Sequence, residues 1–223
     1  MTQWDEAERF FAQCRVAEAH ALAASRLEEN PDDPEALSLM GRIALAALKP
    51  NVAAPLLERA LAANFGDGAA HLALGRALRA LDRPQAARQP LETAIRLLPQ
   101  DVEAHFQLAE LLEGLGEISL ARDHYETARK LAPDLAAIPL ALARLAQGQG
   151  QPEEAERLYL QALAVGPSAE IHTAYAGFLG SQGRIDESIA EFQVAVGLDP
   201  KNPQAWNNLS GPLKLRGRLK ESV

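Results

Sequence analysis

The sequence predicts an all-α chain, a solenoid of stacked helix-turn-helix units, and three periodicities carry that prediction. Pro99, Pro133, Pro167 and Pro200 lie 34, 34 and 33 residues apart, and Gly116, Gly150, Gly183 and Gly217 keep the same period. A third pattern, A-x3-[YF]-x2-A-x4-P, runs as Ala121, Tyr125, Ala128 and Pro133, then as Ala155, Tyr159, Ala162 and Pro167. It returns as Ser188, Phe192, Ala195 and Pro200. Composition agrees, with 48% hydrophobic and only 5% aromatic residues. Ala and Leu dominate the apolar set, which suits many closely packed short helices better than a β core.

The elements follow in order from this period. Residues 1–33 read as a divergent first unit. Unit 34–67 carries Ala53, Leu57 and Ala60, with Phe65 where the closing proline should stand, and unit 68–101 carries Leu74-Gly75, then Ala87, Leu91, Ala94 and Pro99. Units 102–135, 136–168 and 169–202 open on Leu108-Ala109, Leu142-Ala143 and Tyr175-Ala176. The segment 203–223 opens on Trp206-Asn207-Asn208-Leu209 and, after Gly217, begins what matches the second helix at Ile185 before it stops. Each unit holds two apolar runs of about a dozen residues at helical spacing, too short to be stable alone and apolar on the side a neighbour can cover.

Punctuation completes the reading. Pro50, Pro84 and Pro152 follow the mid-unit turn, where a first helical position loses no hydrogen bond. Pro31, Pro99, Pro133, Pro167 and Pro200 close second helices. Pro90 and Pro212 fall inside helices, so a bend or local unwinding is expected at each.

These fixed-offset positions resemble the tetratricopeptide repeat family, whose 34-residue unit carries W-x2-L-G-x2-Y, A-x3-F and a closing P. The resemblance implies a right-handed superhelical α-solenoid in which the first helix of each unit lines a concave groove. Carrying the family's groove offsets over gives Ser38, Arg42 and Leu45; Leu72, Arg76 and Arg79; Phe106, Glu110 and Glu113; Leu140, Arg144 and Gln147; then Thr173 and Asn207. The peptide-binding set expected from these is Arg42, Leu72, Arg76, Arg79, Phe106, Glu110, Leu140 and Arg144. Guanidinium forks hold carboxylates at two points, and exposed apolar Leu72, Phe106 and Leu140 beside them are what a peptide groove needs. The alternative is that the arginines pair with Glu110, Glu113 and neighbours inside the solenoid. Two family specificities are not expected. The clamp for a chaperone's C-terminal carboxylate would need lysines where this chain has Glu or Ala. The asparagine ladder of O-linked N-acetylglucosamine transferases is met by Asn208 alone, against Leu39, Ala73, Gln107, Ala141 and Ala174.

Chemistry is not expected. His71, His105 and His172 hold equivalent places in three units, but equivalent positions lie on the order of 10 Å apart in stacked helices, whereas zinc needs its nitrogens at about 2 Å. They read as packing residues. Cys14 is the single cysteine; it excludes an internal disulfide and reads as a small buried or half-buried hydrophobe. Gly148-Gln149-Gly150 and Gly180-Ser181-Gln182-Gly183 lack the strand and Gly-Lys-[Ser/Thr] of a phosphate loop and read as helix terminators. No nucleophile has a base beside it, so no catalytic residue, metal or cofactor is expected.

The expected function is therefore a protein-protein interaction scaffold, not an enzyme, which holds a peptide segment or helix with acidic and apolar side chains. A formal net charge of -8 argues against nucleic acid as a partner. The acidic opening and the lack of a run of roughly 18 uncharged apolar residues argue against a secretory signal and membrane insertion, so a cytoplasmic location is expected. The second expectation is that the chain is the substrate-recruiting N-terminal arm of a larger bacterial glycosyltransferase or sulfotransferase whose catalytic domain is absent. The ending WNNLSGPLKLRGRLKES resembles repeats that precede such domains. A third is weak end-to-end self-association, burying Leu213, Leu215 and Leu219 against Phe10, Phe11 and Leu22.

Overall fold

In the computed structural model, residues 3–217 are described. They form thirteen α-helices and, among the described residues, no strand. The expected helix after Gly217, and Leu219 with it, lie outside these residues. The helices are α1 Gln3–Ala12, α2 Val16–Glu29, α3 Pro34–Ala46, α4 Pro50–Ala63, α5 Gly68–Ala80, α6 Pro84–Leu97 and α7 Val102–Gly114. They continue as α8 Ile118–Leu131, α9 Ala137–Gly148, α10 Pro152–Val165, α11 Ala169–Ser181, α12 Ile185–Leu198 and α13 Pro203–Leu215. The fold is a helical repeat solenoid. The chain forms two compact units, Met1–His124 and Tyr125–Val223, with the boundary inside α8.

Among the described residues one turn closes the opening helix of each hairpin. The residue after the C-cap is left-handed at Cys14, Leu48, Asp82, Gly116, Gly150, Gly183 and Gly217. The next amide reaches five residues back, from Arg15 to the Phe10 carbonyl, Lys49 to Ala44, Arg83 to Leu78, Glu117 to Leu112, Gln151 to Ala146 and Arg184 to Leu179, at 2.8–3.0 Å. This closure satisfies carbonyls that a helix end leaves orphaned. Cys14 is therefore an exposed turn residue and not a packed hydrophobe, because its register is that of the turn glycines.

Starts are also punctuated. The side chains of Asp33, Asp67, Asp101, Ser168 and Asn202 accept a backbone amide at the openings of α3, α5, α7, α11 and α13. Each such cap contributes about 1 kcal/mol. Pro50, Pro84 and Pro152 stand at the first positions of α4, α6 and α10. Helix α6 runs unbroken through buried Pro90 and α13 through Pro212, so the expected unwinding does not occur. Each proline removes one amide donor from the helix ladder, Pro90 in the middle of α6 and Pro212 in the last turn of α13, and the surrounding packing holds the rest of the helix.

In the first unit each of α1 to α6 packs on the next helix in sequence, and α5 also touches α3 and α7. Its core is Leu57, Leu61, Leu74, Leu78, Leu91, Leu108, Leu111 and Leu112 with buried alanines between them. Gly41 and Gly75 set the closest approaches: a Cβ at Gly75 would lie 2.5 Å from Leu91, and one at Gly41 would lie 2.6 Å from Leu57. In the second unit α9 to α13 pack in the same order, with α11 touching α13, and Phe192, Val196, Leu209 and Leu213 lie in its core. No described helix is long and apolar enough to cross a membrane.

Candidate protein-interaction face

In the first unit the expected interaction residues stand on α3, α5 and α7, the opening helices of successive hairpins. Backbone register puts Arg42, Arg76 and Glu110 in equivalent places, one period apart. The structure binds most of the arginines to carboxylates of the neighbouring opening helix. Arg42 Nη1 donates to Glu8 Oε1 at 2.8 Å, and its guanidinium lies 4.9 Å from the Phe11 ring centre. Arg79 Nη1 donates to Glu110 Oε2 at 2.8 Å and to Gln107 Oε1. Arg76 differs: its contact is an ion pair with Glu103 at 3.8 Å, and both side chains are 47% exposed. A hydrogen bond does not reach that far, so Arg76 keeps its donor fork open to solvent. Leu72, one turn before it, and Phe106 on α7 are half-buried.

In the second unit Arg144 of α9 donates to Glu170 of α11 at 3.0 Å, both exposed. They line an open cleft of about 340 Å³ with Thr173, Asp199 and Asn202. Leu140, expected on the surface, is buried; seven of the twelve α9 residues are buried, and an apolar residue on so broadly covered a helix belongs to the core. Ser38 is buried too and donates to Asp67 Oδ2 at 2.7 Å. Gln147 is held by the Tyr159 hydroxyl at 2.7 Å, and Thr173 donates to the Ala169 carbonyl at 2.7 Å. Half-buried Leu45 packs against the first unit's core, Glu113 is half-buried on α7, and Asn207 is exposed on α13.

Of the residues expected to self-associate, Phe10, Phe11 and Leu22 are half-buried. Phe10, Phe11 and Leu22 pack against the cluster of Ala7, Ala19, Ala23 and Leu39, and the Arg15 guanidinium lies 4.1 Å from the Phe10 ring centre. Leu213 is fully buried while Leu215 is exposed.

His71 and His105 are buried packing residues and make the same bond as the register-equivalent Trp206. His71 Nε2 lies 3.0 Å from the Phe65 carbonyl, His105 Nε2 lies 3.2 Å from that of Pro99, and Trp206 Nε1 donates at 3.0 Å to that of Pro200. A carbonyl only accepts, so each ring nitrogen here carries its proton. Sequence reasoning placed these rings in the packing but missed the bond, whose signal is the constant six-residue offset. Among the described residues no group of three or more His, Cys, Asp or Glu side chains could hold a metal ion.

Comparison with known proteins adds the lineage. No curated protein matches the chain by sequence. Among solved structures, PilW, a widely conserved type IV pilus biogenesis factor, aligns over 95% of this chain and 96% of its own with a TM-score of 0.79 at 15% identity. PilF of Pseudomonas aeruginosa aligns over 92% and 94%, with a TM-score of 0.75 at 16% identity. YrrB, a TPR protein with an unusual peptide-binding site, aligns over 81% and 90%, with a TM-score of 0.65 at 20% identity. At such identities the likeness is one of fold. The family's own sequence profile, described as tetratricopeptide repeat, matches residues 38–101, 72–136 and 140–203. The period, the hairpins with their common turn and this match together make the chain a member of the tetratricopeptide repeat family.

Proposed function

We propose that the protein is an interaction scaffold that holds an extended segment or helix of a partner protein on the opening helices of its hairpins, with Arg76 as the anchor. The observation that carries this reading is the open guanidinium of Arg76, with half-buried Leu72 one turn before it on α5 and half-buried Phe106 at the same register position on neighbouring α7. Arg42 and Arg79 already hold internal carboxylates, so a partner would have to displace these to use them. Arg76 takes a partner carboxylate at no such cost, and the apolar pair beside it takes an adjoining Leu- or Phe-like side chain. Arg144, with its exposed and replaceable Glu170, is the corresponding contact in the second unit.

Selection from a random peptide library tests the reading. Peptides joining a carboxylate to a large apolar side chain should be enriched. Arg76→Glu should weaken the best of them roughly tenfold to a hundredfold, the worth of one charged hydrogen bond, while Arg42→Ala should leave binding unchanged. Peptides held equally by wild type and Arg76→Glu would remove this face from the mechanism.

A further inference from the structure

Three histidines occupy one register position in this chain, and a different residue type stands nineteen residues downstream of each, on the second helix of its own hairpin. For His105 that residue is His124, with the two Nδ1 atoms 3.0 Å apart. For His172 it is Glu191, whose Oε2 lies 2.6 Å from Nδ1. For His71 the same place holds Pro90, which offers nothing, and His71 Nδ1 is buried without a hydrogen-bond partner.

The hydrogen bonds fix the protons. His71 Nε2 and His105 Nε2 both donate to carbonyls, which leaves each neutral ring with a bare Nδ1. His124 must then supply the proton shared with His105, from its own Nδ1. A second proton on His105 would set two N–H groups against each other. A proton on His71 would bury a charged donor with nothing to accept from it. His172 is the opposite case: its Nδ1 already donates to a carboxylate, and an imidazolium keeps that bond.

We propose that these histidines make the repeat array respond unevenly to acid, loosening α5 from α6 and α7 from the start of α8, up to His124, while leaving the α11–α12 hairpin in place.

The surrounding charges agree. Burial holds the His71 imidazole below its ordinary pKa; Asp67 at the start of α5 opposes this and Arg96 on α6 adds to it. Burial and the neighbouring His105 lower His124, against Asp123 on its own helix and Glu92 on α6. Arg88 of α6 lines the same cleft and is held by Glu92 and Glu117. A lowered imidazole pKa means the fold favours the neutral ring. The stability it contributes is complete above the unfolded value of about 6.5 and is lost as pH falls from there through the lower folded value. The window therefore opens just below neutral pH.

Urea unfolding of the full chain followed by circular dichroism at pH 7.5 and 5.0 tests the proposal, together with proton titration of each imidazole by NMR in the wild type. His71→Leu copies Leu37, which fills the same register position in α3, and His124→Gln keeps an N–H for His105. The wild-type midpoint should fall on acidification, and the double variant should lose about half as much or less. His172→Gln should change the acid loss little. NMR should show His71 and His124 protonating below the ordinary value. Equal acid losses in wild type and double variant, or ordinary titration of both His71 and His124, would overturn the proposal. If the double variant does not fold, the wild-type titration alone decides.

Discussion

Replacing Leu48 by glycine should stabilise the protein although it deletes a large apolar side chain. Leu48 is 89% exposed and sits at φ 57° in the hairpin turn, the place that Gly116, Gly150, Gly183 and Gly217 hold elsewhere. A left-handed non-glycine residue costs roughly 1–2 kcal/mol, and glycine gives back roughly 0.5–1 kcal/mol through the greater freedom of its unfolded chain. The net gain is about 0.5–1 kcal/mol, since so exposed a side chain contributes almost no burial. The turn's hydrogen bonds, Leu48 N–H to the Leu45 carbonyl at 3.0 Å and Lys49 N–H to Ala44 at 2.9 Å, use only backbone and survive. In urea, with a slope of about 2–3 kcal/mol per molar, the midpoint should rise by about 0.2–0.5 M. The mirror experiment is Gly116→Ala: nothing lies within 4 Å of the added Cβ, so its loss, of about the same size, reports the backbone alone. A midpoint for Leu48→Gly unchanged or lowered would refute the argument that this turn stores strain.

Two further outcomes follow from the packing and the caps. Gly75→Ala sets a methyl group 2.5 Å from fully buried Leu91 and should cost about 1–3 kcal/mol by equilibrium unfolding, with part of the loss recovered in Gly75→Ala/Leu91→Val. Asp67→Ala removes both the acceptor for the Ala70 amide and the partner of buried Ser38, so it should cost about 2 kcal/mol. In a double-mutant cycle with Ser38→Ala the two losses should be less than additive.

The hairpin layout was legible because its markers are residue types with one backbone meaning: prolines that cannot continue a helix and glycines that accept a left-handed turn. Where another residue held the same place, the type misled. Cys14 suggested a small core residue, and Leu48 and Asp82 suggested nothing, although all three fall on the glycine register. The caps of α3, α5 and α7 were equally regular, at Asp33, Asp67 and Asp101; an aspartate one residue before each of these three opening helices is a readable start signal that the proline and glycine pattern overshadowed. The interaction face was read from family offsets, which give position along a helix and no depth. Ser38 and Leu140 share the offset of Leu72 and Phe106, yet the first pair is buried and the second half-buried, because burial depends on the neighbouring helices. Nor do offsets show which arginine is already occupied. That Arg42 and Arg79 are engaged while Arg76 is open depends on where Glu8, Glu110 and Glu103 come to rest.

The order of contacts within each unit bears on how the chain acquires structure during synthesis. Helices meet the next helix in sequence or the next but one, as α5 meets α3 and α7 and as α11 meets α13. No helix in these pairings must wait for a distant strand or a far end of the chain to be made, so loop-closure entropy is paid in small instalments. A hairpin leaving the ribosome finds its packing surface already present in the hairpin before it. Growth can then proceed in sequence order, with only the newest hairpin's apolar face uncovered at any moment.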